Sequence, residues 1–425
     1  MVALNTRDQR MLAGELGETA RLAMSIIVRM AEVLEVEDLM DITQAHIDAC
    51  GLKSVSGLEF IELLASHGGK VAVPTTLNII PLDLDNWETQ GIDPEYAAFV
   101  ERIADAYISL GCIPTWTCAP YQGYLAPRFG QQVVWGESNA IVYANSVLGA
   151  RTERYADFLD ICGAITGRVP KYGLHIKENR RGQVLFRLSG FNTEDFLDNS
   201  LYTVLGYLVG EMTKLLIPVV DGIPGTVPNH CLKAFGAASA SSGGVGLFHI
   251  VGITPEAATL DAALQGSPPE QVIEVTPELV HKTRQKMSTD FVDGAPLDAV
   301  LLGCPHFSYD EFAELSQAIR EVKGKCNPKV HFLVMSNHAS MALIRRTEIY
   351  DTLKAFGVNF LLDSCVFHTP ILKDTARVVM TNSGKNAYYS PGELGVKVVF
   401  SDMMGCVRAA VRGTVSREDT EWQFN

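Results

Sequence analysis

The 425-residue sequence contains no apolar run near the roughly 20 residues that a membrane-spanning helix needs. In its first 36 residues, acidic and basic side chains interrupt every apolar stretch, which is not the pattern of a signal peptide. We therefore expect a cytoplasmic protein with no membrane partner. These residues instead predict one amphipathic helix, whose apolar face is formed by Leu12, Leu16, Ala20, Ala23, Ile27 and Met30.

An excess of positive charge is also missing. The chain has 49 acidic and 35 basic residues, for a net charge of −14, which argues against nucleic acid as a partner. A small anionic substrate is not excluded, because the charge of a site is independent of the total. With 47% apolar and 20% charged residues, the composition is that of a globular protein, and the length predicts two or three domains.

Closely spaced cysteine pairs are absent. The nine cysteines are odd in number and widely separated, unlike a secreted disulfide framework. No C-x-x-C spacing of the zinc-ribbon or ferredoxin kind occurs. A metal site that uses several of these thiols must therefore be assembled by the fold from distant segments.

The sequence has no internal repeat, and what recurs is an apolar, strand-like run followed by small and polar residues. Helical segments separate several runs, and one of them begins at Ser308 with Glu311 three residues on, as in a capping box. This alternation predicts an α/β fold with largely parallel sheets, in which ligands bind beyond the carboxyl ends of the strands. The runs are 70–78 (KVAVPTTLN), 299–306 (AVLLGCPH), 330–338 (VHFLVMSNH), 359–365 (NFLLDSC) and 377–385 (RVVMTNSGK).

The side chains with useful chemistry follow these apolar runs, which predicts a common site. They are Thr75, Thr76, Asn78, Cys304, His306, Ser336, Asn337, Cys365, Asn382 and Lys385. Proline- and glycine-marked breaks after residue 250 favour a division there. We predict an N-terminal helical region at 1–70, a first α/β part at 71–250 and a second at 251–425.

Cys304 lies in the stretch GCPH, where the sequence predicts that an apolar strand runs into a Gly-Cys-Pro turn with a histidine behind it. This cysteine can be interpreted as a buried thiol, a nucleophile or a metal ligand. Cys118, in TCAPY, and Cys365, in DSC, have similar settings. A proline after a cysteine fixes the backbone and removes an amide donor, which suits a rigid thiolate. A nucleophile paired with His306 or His338 is the competing chemical interpretation. The residues alone leave these alternatives open.

Three other stretches allow two interpretations each. The glycine-rich run 239–257 lacks the lysine of a P-loop, so a tight helix-to-strand turn is favoured over a phosphate loop. The stretch 135–160 places hydrogen-bonding groups between small residues, which fits a ligand site or a solvated helix face equally. The run TNSGKNAYY at 381–389 is either an anion-binding turn or a surface loop.

Taken in order, several stretches resemble the large component of aconitase X, a branch of the aconitase superfamily. The resemblance runs from about residue 41 to the C-terminus. It implies an α/β, aconitase-like fold with three α/β domains and mainly parallel sheets around a central cleft, without the swivel domain. The stretches are AHIDAC, VAVPTTLN, TCAPY, WGESNAIVYANSVLGARTERYADFLDICGAITGRVPKYGLH, LKAFGAASASSGGVGLFHIVGITPEA, LGCPH, LLDSC and TNSGKNAYYSPG.

The resemblance also implies a site. Thiolates of Cys118, Cys304 and Cys365 would hold an iron–sulfur cluster, 4Fe–4S or 2Fe–2S, with one open iron that acts as a Lewis acid in a hydro-lyase reaction. The catalytic candidates in the matching motifs are Glu137, His306 and Lys385. The substrate-binding candidates are His46, Asp48, Thr75, Thr76, Asn78, Tyr121, Ser138, Asn139, Arg151 and Asn382.

The family resemblance implies dehydration of a small hydroxy acid. AHIDAC looks closer to the cis-3-hydroxy-L-proline dehydratases, whose product is a pyrroline-2-carboxylate. The alternative is the large subunit of a mevalonate 5-phosphate dehydratase, which needs extra cationic groups such as Lys53, Arg151 or Lys385. Because no stretch resembles the swivel domain, we expect a separate small subunit that brings a serine base. A non-enzymatic iron–sulfur regulator and a metal-free cysteine enzyme are further alternatives.

Overall fold

The computed structural model describes residues 2–52, 54–372 and 376–419. The chain divides into two compact units, Met1–Arg181 and Gly182–Asn425. The predicted division at 70/71 falls inside the first unit, because the N-terminal helices share one hydrophobic core with residues up to Val169. The predicted division at 250/251 falls inside the second unit, at the end of a strand that belongs to a four-stranded sheet.

The first unit contains a small parallel sheet in the order β3-β2-β4 and an antiparallel pair, β1 with β5. Its strands are β1 (Leu39–Asp41), β2 (Ala45–Ile47), β3 (Thr75–Leu77), β4 (Val134–Trp135) and β5 (Arg168–Pro170). Its helices are α1 (Thr6–Leu12), α2 (Glu18–Val33), α3 (Val55–Ser66), α4 (Pro94–Ser109), α5 (Ser138–Ser146) and α6 (Leu159–Thr166). Short 3-10 helices cover Ala49–Leu52, Gly173–His175 and Lys177–Arg180.

The N-terminal segment forms two helices, so the prediction of a single amphipathic helix was wrong. Gly14 and Gly17, between α1 and α2, have φ values of +78° and +97°, outside the right-handed helical region. Leu16 lies in this turn and is exposed. On α2 the predicted apolar face is present, with Ala23 and Ile27 fully buried.

The second unit contains two parallel sheets, in the orders β8-β7-β6-β9 and β12-β11-β10-β13-β14. The strands are β6 (Val184–Leu188), β7 (Pro218–Asp221), β8 (His249–Ile250), β9 (Gln271–Val275), β10 (Ala299–Phe307), β11 (His331–Ser336), β12 (Asn359–Leu361), β13 (Val378–Thr381) and β14 (Lys397–Phe400). The helices are α7 (Asn199–Thr213), α8 (Asn229–Gly243), α9 (Leu260–Leu264), α10 (Pro277–Lys286), α11 (Tyr309–Val322), α12 (His338–Ile344), α13 (Glu348–Phe356), α14 (Gly384–Glu393) and α15 (Met403–Arg412). Short 3-10 helices cover Thr193–Leu197 and Arg417–Asp419.

The larger sheet confirms the α/β prediction. All nine residues of β10 are buried, as expected for a central parallel strand with both faces covered. The predicted capping box is present, because the Ser308 hydroxyl accepts from the Glu311 amide while the Glu311 carboxylate accepts from the Ser308 amide. From this cap, α11 packs Phe312 and Leu315 into the core beside the sheet.

The glycine-rich run forms the end of α8 and the turn that leads to β8, which confirms the helix-to-strand interpretation. Gly244 caps α8 with φ +83°, a value that glycine adopts without a steric penalty. Small residues also let α7 and α8 approach closely. A Cβ added at Gly206 of α7 would lie 2.3 Å from the carbonyl oxygen of Phe235 on α8.

This close approach predicts opposite effects for two helical Gly→Ala substitutions. Gly206→Ala should lower the free energy of unfolding by about 1–3 kcal/mol, because the new methyl group must push α7 away from α8. Gly392→Ala on α14 should raise it by up to about 1 kcal/mol, because nothing lies within 4 Å of the added Cβ and alanine favours a helix. Urea unfolding of the two variants measures both. Equal effects would contradict the packing described here.

Candidate active site

A cluster of polar side chains lies at the carboxyl ends of β2 and β3. His46 and Thr76 are paired across the two strands, and Nδ1 of His46 lies 2.8 Å from Oγ1 of Thr76. One step further along the same face, Nδ2 of Asn78 donates to Oδ1 of Asp48 at 2.8 Å. The structure thus brings four predicted site residues together on one face, because alternate residues of paired strands point to the same side.

His46 is a neutral imidazole at physiological pH. It is fully buried, and burial lowers its pKa to about 3, although the negative charge of Glu137 acts in the opposite direction. Since the ring carries no positive charge, it can orient a ligand by hydrogen bonding but cannot pair with an anion as a cation.

Asp48 is held by three neighbours. Its Oδ1 accepts from Asn78 and from the Cys50 thiol, whose sulfur lies 3.0 Å away. Its backbone amide donates to Oδ2 of Asp160 at 2.8 Å. Sequence reasoning missed both Cys50 and Asp160 as site residues. For Asp160, the sequence feature that could have indicated a buried, functional carboxyl group is its isolated position within the apolar sequence Leu-Asp-Ile-Cys of α6.

Asp160 is a buried carboxyl group with a perturbed titration. Burial raises its pKa to about 7, with a smaller contribution from Asp48, while the backbone amides of Asp48 and Ile161 act to lower it. Gly136, after β4, lets this arrangement form, because a Cβ there would lie 2.8 Å from both Oδ2 of Asp160 and the amide nitrogen of Asp48. Asp160 therefore fixes the backbone that carries Asp48.

Cys118 lies in a loop that α5 supports. Its carbonyl oxygen accepts from Nδ2 of Asn139 at 2.8 Å, and Oδ1 of Asn139 accepts from the Tyr121 hydroxyl at 3.5 Å. Tyr121 stacks on Tyr143 with ring centroids 3.7 Å apart, and burial raises the pKa of its phenol. The predicted substrate-binding residues Tyr121 and Asn139 thus hold the Cys118 loop in place.

Glu137 caps α5 in a strained conformation. Its φ is +66°, an unusual value for a residue with a side chain, and such outliers are often found at functional sites. Oε2 accepts from the Ala140 amide at 2.9 Å, and the Ser138 hydroxyl is 3.4 Å from Oε1. The half-buried carboxylate of Glu137 is therefore fixed in position.

Two predicted binding residues of the first unit have other contacts. The Thr75 hydroxyl donates to the carbonyl oxygen of Val73 at 2.8 Å. Arg151 lies near His175, whose pKa is lowered to about 3 by burial and by the charges of Arg180 and Arg151. Neither side chain makes a hydrogen bond to the cluster at the ends of β2 and β3 in the described residues. Lys53 lies outside the described residues.

Cys304 and His306 lie within β10, whereas the sequence predicted a turn after the strand. Pairing with β11 stops after Leu302 and resumes at Phe307, which leaves within β10 a bulge that contains a cis Cys304–Pro305 bond. At Gly303, φ is +88° and an added Cβ would lie 2.1 Å from the carbonyl oxygen of Met335. Only glycine fits this close approach to β11.

His306 links the bulge in β10 to the loop that follows β12. The side chain is fully buried, and its Nε2 lies 2.9 Å from the carbonyl oxygen of Ser364, next to Cys365. The Ser364 hydroxyl in turn hydrogen-bonds with the Thr369 hydroxyl. Two of the three predicted metal ligands, Cys304 in the bulge of β10 and Cys365 in the loop after β12, therefore lie on segments that this hydrogen bond joins.

The loop before α14 supports Cys304 from its other side. The Ser383 hydroxyl donates to the carbonyl oxygen of Cys304 and also accepts from the Asn386 amide to cap α14. The predicted site residues Asn382 and Lys385 flank Ser383 and are half-buried. Cys304 and Asn382 line a cavity of about 440 Å³ within the second unit.

Burial of His46 gives a prediction for the pH dependence of stability. The folded-state pKa of about 3 lies below the ordinary value of 6.5, so unfolding takes up a proton between these pH values. The stabilising contribution is complete above pH 6.5 and is lost as the pH falls towards 3. His46→Gln should reduce the slope of unfolding free energy against pH by about 1.4 kcal/mol per unit between pH 4 and 6. Urea unfolding at several pH values measures this slope.

The exposed His67 supplies the control for that experiment. His67→Gln makes the same substitution at an exposed position instead of a buried one, and it should leave the slope unaltered. A slope that is equal in His46→Gln and the unsubstituted protein would show that His46 is not held neutral.

Three aconitase X family models match the chain in order. The first domain matches residues 1–178, the second 182–285 and the third 297–412. This chain belongs to the aconitase X family. The crystal structure of Thermococcus kodakaraensis aconitase X in its holo-form has the same fold, with a TM-score of 0.84 and 29% identity over 96% of this chain and 100% of that one.

The curated relatives of this aconitase X chain fall into two groups, which are named after two different dehydratases. It is 42% identical over 96% of its length to a cis-3-hydroxy-L-proline dehydratase of Pseudomonas aeruginosa, and 42% identical over 97% to one of Hypocrea jecorina. The matches cover 70% and 69% of those relatives. It is 34% identical over 96% of its length to the phosphomevalonate dehydratase large subunit of Methanothermobacter thermautotrophicus, of which 98% is covered.

Five further cysteines of this aconitase X chain are buried or half-buried thiols, and four of them, all except Cys231, pack in the hydrophobic cores. Burial raises the pKa of Cys112 to about 12 and that of Cys326 to about 11, and it raises the pKa values of Cys162, Cys231 and Cys406 still further. None of these five is in the predicted ligand set.

The donor set predicted for the family cofactor suits iron and sulfur, because soft thiolates are the usual ligands of such clusters. Among its described residues, neither unit by itself groups three cysteine, histidine or carboxylate side chains that could hold a metal. The ligand set of Cys118, Cys304 and Cys365 therefore stays a prediction. None of the helices described for this chain is long and apolar enough to cross a bilayer.

Proposed function

We propose that this chain is the catalytic component of a hydro-lyase that dehydrates cis-3-hydroxy-L-proline to a pyrroline-2-carboxylate. The observation that carries this proposal is the 42% identity, over nearly the whole chain, to two relatives with that dehydratase name. The phosphomevalonate relatives are less similar, at 34% identity or below. The names of its relatives thus make this chain a dehydratase, and the higher identity to the hydroxyproline enzymes supports cis-3-hydroxy-L-proline as its substrate.

We assign the iron–sulfur cluster of this enzyme to Cys118, Cys304 and Cys365. The cluster is either 4Fe–4S or 2Fe–2S, and when bound it would supply Lewis-acid help for the departing hydroxyl group. The support from this chain is the placement of the thiols in rigid surroundings. Asn139 holds the Cys118 loop, and Ser383 holds the backbone of Cys304.

The first unit would bind and orient the substrate. His46, Thr76 and Asn78 offer neutral hydrogen-bonding groups on one face, and the low pKa of His46 keeps that face free of a histidine cation. We assign Glu137 to proton transfer at the substrate hydroxyl, because its carboxylate is fixed by the Ala140 amide and acts electrostatically on His46. Substrate orientation at this face would lower the barrier by fixing the reacting groups.

In the second unit, His306 would act by positioning. Its ring is fully buried and its Nε2 is engaged by the Ser364 carbonyl oxygen, so it would hold the Cys304 and Cys365 loops together without touching substrate. Asn382 and Lys385 would contact the substrate as polar groups near the start of α14. Their half-buried positions beside Ser383 support that role.

We further propose that activity requires a small swivel-type subunit. The hydroxyproline dehydratase relatives extend beyond the matched region, while relatives covered almost completely carry the words "large subunit" in their names. The base that removes the carbon-bound proton would come from that subunit. A cytoplasmic location is part of the same proposal and agrees with an odd number of widely spaced cysteines, which is unlike a secreted disulfide framework.

The second candidate function is that of a phosphomevalonate dehydratase large subunit. The observation in its favour is the coverage of 98% of the Methanothermobacter relative, compared with 70% of the Pseudomonas relative. A phosphate site would need cationic groups near one another. Arg151, one of the predicted candidates, acts electrostatically on His175, and its side chain makes no hydrogen bond to the cluster at the ends of β2 and β3 in the described residues.

Anaerobic reconstitution with iron, sulfide and the candidate small subunit tests the proposal. We expect turnover of cis-3-hydroxy-L-proline with a kcat/KM at least about 100-fold above that for mevalonate 5-phosphate. The large chain without the small subunit should bind iron but show no turnover. Preference for mevalonate 5-phosphate would replace the first candidate with the second, and turnover by the large chain alone would contradict the subunit requirement.

A further inference from the structure

Asp48 is a half-buried carboxylate held at one oxygen. Oδ1 accepts from both the Asn78 amide and the Cys50 thiol, at 2.8 and 3.0 Å. Within the described ranges, Oδ2 has no hydrogen-bond donor, and no lysine, arginine or histidine forms an ion pair with this side chain. Asp157 and Asp160, two neighbours that interact electrostatically with Asp48, are acidic residues as well. Among the described residues, the carboxylate of Asp48 therefore has no cationic side chain paired with it.

Asn78 adds a second acceptor that lacks a donor. It is fully buried, and while its Nδ2 donates to Asp48, its Oδ1 has no partner among the residues described. Buried polar atoms normally have partners, so an orphaned acceptor beside a carboxylate marks a place for a donor that the chain does not supply. The two neighbouring side chains thus present one negative charge and two acceptors with unused capacity.

The backbone beneath Asp48 is fixed as well. The buried Asp160 accepts from the Asp48 amide, and Gly136 leaves room for this contact because a side chain there would collide with both partners. Asp48 therefore does not have to reorganise when a ligand arrives, which is the arrangement that makes a charge effective in recognition.

We infer that Asp48 is the receptor for the secondary ammonium group of a cyclic imino acid. A ring ammonium carries one positive charge and two N–H donors, which match Oδ2 of Asp48 and Oδ1 of Asn78 in number and sign. A phosphorylated hydroxy acid carries no nitrogen and more negative charge, so the same carboxylate repels it. Asp48 is thereby the group that selects the substrate class, with Asn78, Cys50 and Asp160 as its positioning residues. This inference rests on the proposed function and extends it.

Binding of two ring analogues tests the assignment. L-Proline carries the ring ammonium, whereas (S)-tetrahydrofuran-2-carboxylate has a ring oxygen in its place. Isothermal titration of the reconstituted protein with its small subunit should show L-proline bound at least about 10-fold more tightly. In Asp48→Asn the Kd for L-proline should rise about 10- to 100-fold, while that for the oxygen analogue changes less than about threefold.

Asp157→Asn is the matched control. This exposed carboxylate interacts electrostatically with Asp48 but lies outside the site, so the preference for L-proline should be retained. The inference is overturned if the unsubstituted protein binds both analogues equally, a result that needs no variant. It is also overturned if Asp48→Asn keeps the preference, or if that variant weakens both analogues alike.

Failure of the inference can be told from failure of the proposed function. Turnover of cis-3-hydroxy-L-proline without any preference for the ammonium analogue removes the role of Asp48 and leaves the dehydratase in place. An Asp48-dependent preference for L-proline without turnover of the hydroxyproline supports the ammonium receptor and removes the substrate named above.

Discussion

Cys304→Ser should lose its iron–sulfur cluster and at least about 100-fold of its dehydratase activity. Replacement of groups that merely orient a metal ligand typically costs 10- to 100-fold in affinity or activity, so loss of a ligand should cost no less. The bulge in β10 gives the chain little freedom to bring another donor to this position, because Gly303 is packed against β11 and Ser383 holds the Cys304 carbonyl group. Iron and sulfide analysis after anaerobic reconstitution measures the loss directly, without an activity assay.

Cys326→Ser is the matched control for this substitution. The Cys326 sulfur lies 3.6 Å from the carbonyl oxygens of Asn327 and Val330, so its one proton can be donated to either oxygen, as can the proton of a serine hydroxyl. This variant should keep its iron content and its activity within about twofold, as expected for a cysteine that serves packing. If Cys304→Ser retained the iron and sulfide content of the unsubstituted protein, Cys304 would not be a ligand.

Lys233→Met should lower the free energy of unfolding by about 3–5 kcal/mol, because it leaves a buried carboxylate without its cation. The Lys233 side chain is 1% exposed, and its Nζ donates to Glu311 at 2.5 Å and to the carbonyl oxygen of His306 at 2.7 Å. Lys233 thus joins α8 to α11 through the ion pair and to β10, the strand that carries Cys304, through the hydrogen bond. Urea unfolding measures the change, and iron content reports whether the Cys304 loop is disturbed as well.

The double substitution Lys233→Met with Glu311→Gln should restore part of this stability. The second change removes the buried charge, and glutamine at this position can still accept from the Ser308 amide in the capping box of α11. Lys286→Met supplies a surface comparison, since its pair with Glu211 is about half exposed and should contribute no more than about 1 kcal/mol. A loss in Lys233→Met no larger than in Lys286→Met would contradict the importance of the buried pair.

Much of the site could be predicted from the sequence, because its residues lie in short motifs. His46 and Asp48 were predicted from AHIDAC, and Thr76 and Asn78 from VAVPTTLN, and the structure pairs them across two strands. The pairing itself could not be predicted. It depends on the register of strands about 30 residues apart, which no local pattern encodes.

The residues that sequence reasoning missed act through the backbone or over long separations. Asp160 is 112 residues from Asp48 in the chain and is identified only by its hydrogen bond to that amide. The β10 bulge was predicted as a turn, because an apolar run ending in Gly-Cys-Pro has the same local signature in both cases. Thr75 and Arg151 were chosen for their side-chain chemistry, but the fold gives them partners outside the cluster.

The measurement that tests the central claim most directly uses cis-3-hydroxy-L-proline with deuterium at C2. Dehydration breaks the C2–H and C3–O bonds and releases water, so the reconstituted enzyme with its small subunit should form a pyrroline-2-carboxylate that has lost the deuterium to solvent. Mass spectrometry of the product follows the label and the loss of water together. Recovery of substrate alone, or of a product that retains deuterium at C2, would contradict the assignment of this aconitase X chain as a hydroxyproline dehydratase.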